Sequence, residues 1–513
     1  MLSFLTRQAS RVKGVLSGFD RVRFRGTLRW LAHVQGLLGY LSYQSVLLKE
    51  FKEYAMSLTA SIKQATQQIA SEPIAYLPSS TASKDEVARE IAEREGLTEG
   101  LVCVLSCVEP CFTFEVGPNK QTKKLELRKF FGKCLHYYFY LIDREWGWMH
   151  VRLQTWMPFS VHVVINGREW LAQDLMRHNM PFERRENCFV DLGDVARAQE
   201  LFDQQQTTDW KAQLDRVLRR VHPTHEQMFD TSKLDYYWSA SETEVATDVM
   251  FRSPQDLAGV YPFLVRHAIT SFGCADVLRF LGKRPLVQKF TKAEILSHLG
   301  SRAEGTRVRH ALNGNSVKMY DKQGSVLRIE TTINHTREMK VYRASESDPE
   351  GPKENRILRK GVADLNRRVE ISQKSNARYL EALSAVDSEK TLAEMAEPIC
   401  RRTRSKGRSV RALNPLNADD AKLLQAVNRG EFVLLGFRNR DLCRLLFEEN
   451  SNLTDQQKMT KVTRLIQLLR AHGLVQKVTK THRYQVTPKG RETLTALLAS
   501  RTASIRKLTE LAA

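Results

Sequence analysis

The spacing of apolar residues changes period several times along this chain, and each change marks an element. Near the C-terminal end, Val462, Leu465, Ile466 and Leu469 recur at i, i+3, i+4 and i+7, which is one apolar face of a helix. Lys458, Lys461, Arg464 and Gln467 fall on its other face, and Gly473 stops the helix after His472. Two short β-rich runs follow. They flank Lys480-Thr481 and predict a hairpin whose basic tip carries Lys477, Lys480, His482 and Arg483. Earlier in the chain, His136–Gln154 contains two alternating runs around a turn at Asp143–Gly147. In that pairing Tyr137, Phe139, Leu141, Met149, Val151 and Leu153 share an apolar face. His136, Tyr138 and Tyr140 then lie beside His150, Arg152 and Gln154 on the other, and a slip of one residue would undo the arrangement. A third alternating pair spans Ser316–Asn334 with its turn at Asp321-Lys-Gln-Gly324. It places Val317, Met319, Leu327 and Ile329 on one face and Lys318, Tyr320, Arg328, Glu330 and Thr332 on the other.

Other segments are read more coarsely. Residues 1–75 look helical except for Phe19–Arg25, where Asp20, Val22 and Phe24 alternate with Arg21, Arg23 and Arg25. That run is expected as a half-exposed strand, either a solvated edge or a contact to phosphates. Ser83-Lys-Asp-Glu86 is a capping box that opens a helix to about Glu95, and Leu101–Val116 reads as a buried strand. Val161–Ile165 predicts another strand, ended by a turn at Asn166-Gly167, with His162 a core or edge histidine. Residues 200–300 look mainly helical. Ser239 or Ser241 is expected to cap a helix over Asp235–Asp248 that would align Ser241, Glu244 and Asp248. Residues 401–411 hold six cations and no acid, which suggests a linker, solvated or draped along phosphates. The expected architecture is multidomain α/β: a mixed α/β domain over 1–200 with antiparallel hairpins, a helical segment plus hairpin over 201–344, a basic helical connector over 345–411, and a winged helix-turn-helix over 412–513.

Composition then narrows the class. The 513 residues carry a net charge of +21, while 42% hydrophobic and 27% charged content is ordinary for globular chains. Residues 411–513 hold 18 Lys and Arg against 9 Asp and Glu. Such a surplus calls for a polyanionic partner, nucleic acid ahead of a membrane surface. There is no apolar run of the roughly 18 residues a span needs, and Met1-Leu-Ser-Phe-Leu-Thr-Arg7 lacks a signal-peptide core, so no membrane partner and a cytoplasmic, nucleoid-associated location are expected. The 8 dispersed cysteines suit a reducing compartment. Cys103, Cys107, Cys111 and Cys134 match no standard zinc spacing. Spaced by four in a strand, Cys103, Cys107 and Cys111 would share one face as core cysteines do, and buried thiols are preferred to a metal site. No GxxxxGK[ST] loop, GxGxxG turn, GxSxG elbow or HExxH helix is present, which argues against an energy-coupled helicase or kinase.

The C-terminal segment, above all His482-Arg-Tyr-Gln-Val-Thr-Pro-Lys-Gly490, resembles the MarR-type winged helices of bacterial regulators over about 90 residues. The resemblance implies a helix that enters the major groove, with Arg, Lys and Gln reading base edges and wing cations neutralising phosphates. Winged helices also bind RNA and protein. The rest of the chain is similar in pattern to large bacterial proteins that carry such a module.

The order Tyr320-Asp-Lys followed by Arg328-Ile-Glu330 resembles, over about 20 residues, a motif of rolling-circle replication initiators. That resemblance implies Tyr320 as nucleophile, with Lys322 as its neighbour and Glu330 as a metal or structural carboxylate. From the residues themselves, Lys318 and Arg328 would stabilise phosphorane charge, and Glu330 would bind Mg²⁺ or Mn²⁺ or take a proton. The His-x-His strand of HUH endonucleases is missing, because His150 and His162 sit on different predicted strands. A structural hairpin with a salt-bridged polar face is the competing reading. A transposase-like triad of Asp20, Asp248 and Glu330 is conceivable without any spacing argument. The leading expectation is a bacterial DNA-binding protein with a mobile-element or replication-associated role. The alternatives are a transcriptional regulator without catalysis, dimeric or ligand-sensing through its N-terminal region, and a structured-RNA binder that stacks bases on the Tyr138/Tyr140 face.

Overall fold

The computed structural model describes residues 2–70, 72–78, 83–229, 234–282, 295–302, 305–337, 339–345, 348, 350–384, 392–405, 407–429, 432, 436–447, 453–478 and 481–502. It is mixed α/β and contains two compact units, each assembled from separated stretches of chain. One comprises Gly14–Met250 and Glu330–Gln373; the other comprises Met1–Lys13, Phe251–Ile329 and Lys374–Ala513.

The first unit is built on the strands β1 (Val12–Leu28), β2 (Ala75–Tyr76), β3 (Gly100–Pro118), β4 (Leu125–Asp143), β5 (Gly147–Gln154), β6 (Val161–Asn166) and β9 (Tyr236–Phe251). Their order across the sheet is β9-β1-β6-β5-β4-β3-β2. The small hairpin of β7 (Phe182–Arg185) and β8 (Cys188–Leu192) stands apart from it. The β1, β6, β5, β4 and β3 ladders are antiparallel, and β2 adds to β3 in parallel. Because successive side chains in a strand point to opposite faces, the observed registers fix which residues meet. Val104, Phe139, Val151, Val163 and Phe24 form one transverse row, and all five are buried. Trp210, on the Trp210–Val221 helix, meets Phe24 at 4.9 Å and Trp170 of the Gly167–Arg177 helix at 5.7 Å, so helices cover this face. Gly18 allows the close approach, since a Cβ there would lie 2.6 Å from the Phe202 ring.

Several expectations change. The Phe19–Arg25 strand belongs to a 17-residue strand and has neighbours on both sides, so it is no edge. Asp235–Asp248 forms β9 instead of a helix. Its β-branched run Thr243, Val245, Thr247 and Val249 is buried, so burial outweighs the helical alignment of Ser241, Glu244 and Asp248. Ser239 and Ser241 donate their hydroxyls to the Arg25 and Arg23 carbonyls in place of capping a helix. Asn166-Gly167 is a helix start, with the Asn166 side chain accepting from the Arg168 and Glu169 amides. Ser83 caps the Lys84–Glu95 helix as its sequence predicts.

In the second unit, β10 (Leu296–Arg302), β11 (Gly305–Leu312), β12 (Asn315–Lys322) and β13 (Val326–Ile333) follow one another in the sheet, and β13 passes into the first unit at Glu330. The Ser316–Asn334 hairpin forms as expected: Val317, Met319, Leu327 and Ile329 are fully buried, and Gln323 and Gly324 turn with positive φ. His310 on β11 lies in the core between Ser297 Oγ (2.8 Å from Nδ1) and Tyr379 Oη (3.2 Å from Nε2). The C-terminal part contains helices Ala418–Val427, Asn439–Leu446 and Asp455–Ala471, a hairpin of Val475–Lys477 with Tyr484–Val486, and a helix Pro488–Thr502. Val427, Leu442, Val462, Ile466, Leu469 and Leu494 share their core with Ile399 and Leu413. Residues 401–411 are not a linker: Thr403–Ser405 pairs with Arg408–Val410 around Gly407, and Arg411 grips Asp420 through two bonds of 2.7 and 2.8 Å. These local partners anchor a segment whose composition alone suggested a solvated tether.

Burial holds the His310 imidazole at about 4, below its ordinary value near 6.5. The unfolded chain therefore takes a proton that the native state refuses, and stability present above pH 6.5 is lost as pH falls toward 4, by on the order of 3 kcal/mol at pH 4. The urea midpoint should fall less steeply over this window in His310→Gln than in the wild type; equal slopes would remove His310 from the acid response.

Candidate nucleic-acid interface

The opposite face of the first unit's sheet is polar. Leu105, Tyr138, Arg152, His162 and Arg25 form one row across β3, β4, β5, β6 and β1, and Cys103, Tyr140, His150, Val164 and Arg23 form the next. The pairings His136–Gln154, Tyr138–Arg152 and Tyr140–His150 are those the alternation predicts. Their joining to His162, Arg23 and Arg25 was not legible, because β5, β6 and β1 pair across long sequence separations. The signal that could have found it was the run of three alternating arginines on β1.

The Lys84–Glu95 helix covers one end of this face. Tyr140 is 2% exposed and packs with Ala88 and Leu105, and the Trp148 indole donates to Asp85 at 2.8 Å. Tyr138 donates its hydroxyl to Glu109 at 2.7 Å, and Lys84 and Arg152 approach the same carboxylate at 3.3 and 2.9 Å. Burial opposes ionisation of Glu109, yet the Tyr138 hydroxyl, Arg152 and Lys84 hold its carboxyl below the ordinary range. Tyr138 and Tyr140 are thus spoken for by the helix and by Glu109. This corrects the expectation that they offer rings for bases to stack on.

Beyond the helix the face is cationic. Arg21 is paired with Glu242 at 3.2 Å and Glu244 at 3.1 Å. Arg23 and Arg25 have no ion pair among the described residues, and Arg25 is exposed. Although Arg25 is exposed as a residue, its guanidinium is partly shielded by neighbouring atoms, and this shielding with the proximity of Arg152 lowers it below its ordinary range. His162 is depressed to about 3 by its dense surroundings and by Arg152, Arg25 and Arg23. His150 is depressed to about 4, burial outweighing the opposing charge of Asp85. Both imidazoles are therefore neutral at pH 7, with their rings beside guanidinium groups. Such a surface favours an anion, which would balance the arginines and let the histidines donate.

On the helix-covered face, Arg168 is wholly buried and bonds Asp248 at 2.9 Å, lies 3.4 Å from Asp20, and donates to the Phe19 carbonyl at 2.6 Å. Asn187 donates to Asp20 at 2.6 Å. Asp20 and Asp248 thus surround a guanidinium, and Glu330, 3% exposed on β13, makes no three-donor cation group with them. Among the described residues the one such group is Cys111, Cys134 and His136.

In the second unit, Tyr320 stands opposite Arg307 and Lys318 opposite Arg309. Both are half-buried, whereas Arg328 is 1% exposed, so the suggested strand-cleaving set is not presented together to solvent. On the Asp455–Ala471 helix, Lys461, Arg464 and Gln467 are exposed, Lys458 is half-exposed, and Val462, Ile466 and Leu469 are buried as the periodicity predicts. Lys477 and His482 are exposed and Arg483 is half-buried, while Lys480 lies outside the described residues. No described helix is long and apolar enough to cross a membrane.

Removing one member of a buried ionic group leaves the others uncompensated. Arg168→Leu should therefore destabilise the chain by about 3–5 kcal/mol in urea unfolding; a loss under about 1 kcal/mol would mean that Asp20 and Asp248 do not depend on it.

No family model, curated protein or solved structure matches this chain.

Proposed function

We propose that this protein binds DNA through two basic surfaces, the Arg23/Arg25 face of the first unit's sheet and the exposed face of the Asp455–Ala471 helix. The observation that carries the reading is the pair Arg23 and Arg25, set beside Arg152 and His162 with no carboxylate bonded to either arginine among the described residues. Phosphates are the anions that fit a row of guanidinium groups, through bidentate and charge-assisted hydrogen bonds. The strand places the arginines two residues apart on one face, where both can contact one phosphate backbone.

Among the described residues, the C-terminal order of helices Ala418–Val427, Asn439–Leu446 and Asp455–Ala471, a hairpin and a further helix supports a winged helix-turn-helix of the MarR type. In that reading Lys458, Lys461, Arg464 and Gln467 face the major groove, and Lys477, His482, Arg483 and Lys480 contact phosphates. A reader of duplex sequence combined with a phosphate-gripping sheet suits a mobile-element or replication-associated DNA-processing protein of the nucleoid. Strand cleavage by Tyr320 with Mg²⁺ or Mn²⁺ draws no support from a half-buried Tyr320 with Arg328 and Glu330 buried. A regulator that binds without cleaving, and an RNA binder, are the outcomes that would displace the DNA-processing reading.

The test compares labelled single-stranded DNA, duplex DNA and folded RNA at several salt concentrations. Arg23→Ala combined with Arg25→Ala should flatten the dependence of log K on log salt by about 1.4–1.8, the loss of two phosphate contacts. An unchanged slope removes the sheet face from the interface. Arg464→Ala should weaken duplex binding by about 1–3 kcal/mol and relax sequence preference; unaltered preference would leave Arg464 without a reading role. An anion beside His150 and His162 favours their charged forms, so binding should take up protons and strengthen as pH falls from 7 toward 5. Calorimetry in two buffers of different ionisation enthalpy measures this directly, and proton release on binding would contradict the placement.

A further inference from the structure

We propose that Cys111, Cys134 and His136 form a binding site for a thiophilic divalent cation, zinc foremost. The site does not depend on the nucleic-acid reading. Its donors come from two paired strands. Cys134 and His136 are two residues apart on β4 and so share a face. Cys111 on β3 is opposite Gly132, one cross-strand step from Cys134 on the same face, and the two sulfurs lie 3.2 Å apart. One imidazole nitrogen of His136 lies within 4.8 Å of both sulfurs.

The chemistry of the set is selective. Two thiolates and an imidazole suit zinc and other soft or borderline ions, and exclude the oxygen-loving Mg²⁺ and Ca²⁺. Tetrahedral zinc with bonds of about 2.3 Å separates two sulfurs by roughly 3.7 Å, so the pair must open by about half an ångström, within reach of small χ1 adjustments.

The state of His136 is the second, independent observation. The residue is 1% exposed, its Nδ1 lies 3.1 Å from the Cys134 carbonyl and 4.0 Å from the Cys134 Sγ, and its Nε2 has no hydrogen-bond partner among the described residues. An imidazole that donates from Nδ1 to a carbonyl carries its lone pair on Nε2. In metal-bound histidines one nitrogen commonly bonds a backbone carbonyl and the other the ion. Here Nδ1 lies beside both the carbonyl and the Cys134 sulfur, so metal binding requires either a turn of the ring that brings Nε2 to the sulfurs or exchange of the carbonyl bond for the ion.

Three protein donors leave one tetrahedral position, the pattern of zinc sites that keep an exchangeable ligand. Glu109 stands opposite Cys134, but its carboxylate is held by Tyr138, Arg152 and Lys84, so the fourth donor is expected to be water. Cys134 is half-buried, which gives the ion a route to the sulfurs from solvent. The sequence offered a faint signal, the Cys134-x-His136 pair on an alternating strand. Weighed from sequence as a metal site, the cysteines read instead as buried thiols, because Cys111 and Cys134 match no standard spacing and the pattern does not join His136 to them.

The experiment is a Co²⁺ titration of the reduced full-length protein under anaerobic conditions, followed by Zn²⁺ competition. One equivalent of Co²⁺ should produce a thiolate-to-cobalt charge-transfer band and the intense visible bands of tetrahedral coordination, both abolished by Zn²⁺. Cys111→Ser and Cys134→Ser should each lose about half of the charge-transfer intensity. His136→Gln should weaken binding by more than about tenfold, since even outer-shell partners of metal sites are worth about 10–100-fold. Differential alkylation read by mass spectrometry keeps the test independent of variant folding: Zn²⁺ should protect Cys111 and Cys134 in the wild type. Absence of the charge-transfer band, an undiminished band in the Cys111→Ser/Cys134→Ser double variant, or equal alkylation with and without Zn²⁺ would each overturn the proposal.

Discussion

Strand register is the constraint on which the first unit depends. Because alternate residues point to opposite sides, one set of pairings sends Val104, Phe139, Val151, Val163 and Phe24 toward the helices and Tyr138, Arg152, His162 and Arg25 the other way. A slip by one position on a single strand would put arginine against Trp210 and phenylalanine into water. The apolar row therefore pins the location of every cation on the polar side. The cost of misplacing a buried Phe24 or Val151 is what aligns Arg23, Arg25, Arg152 and His162 across three strands. The cations of the proposed interface are positioned by packing on the other face.

The two faces handle charge by different physics. On the covered face a full guanidinium is buried, and it persists because Arg168 meets two carboxylates and two backbone carbonyls. On the open face Arg23 and Arg25 sit near other cations, and neighbouring imidazoles give up their protons. The first arrangement is closed and specifies structure. The second has its electrostatic demand unmet within the bonds described, which is the condition for binding an outside anion.

How far the sequence revealed this depended on the range of the interactions. Local signals read well: the Ser83 cap, the Tyr137/Phe139/Leu141 alternation and the Val462/Ile466/Leu469 stripe all report neighbours within a few residues. Nonlocal burial did not. Thr243–Val249 looked compatible with a helix because a strand buried on both faces loses its polar alternation. Tyr138 and Tyr140 looked available because nothing near them announces the Lys84–Glu95 helix that covers them. Arg411 looked like tether charge until Asp420 was seen to hold it.

The division of the chain into interleaved stretches also sets a timetable for its synthesis. Ser3 bonds Glu381, 378 residues later, and Arg7 pairs with Glu492, all within one unit. At typical translation speeds of about 5–20 residues per second, Ser3 waits roughly 20–75 s for Glu381 to be made. The other unit closes only once Glu330–Gln373 has left the ribosome, although most of its strands emerge long before. Neither unit can therefore mature and dock as an independent bead. Each keeps apolar strand surface exposed while the other is still being made, so the nascent protein should lean on chaperones more heavily than a chain of the same length built from consecutive domains.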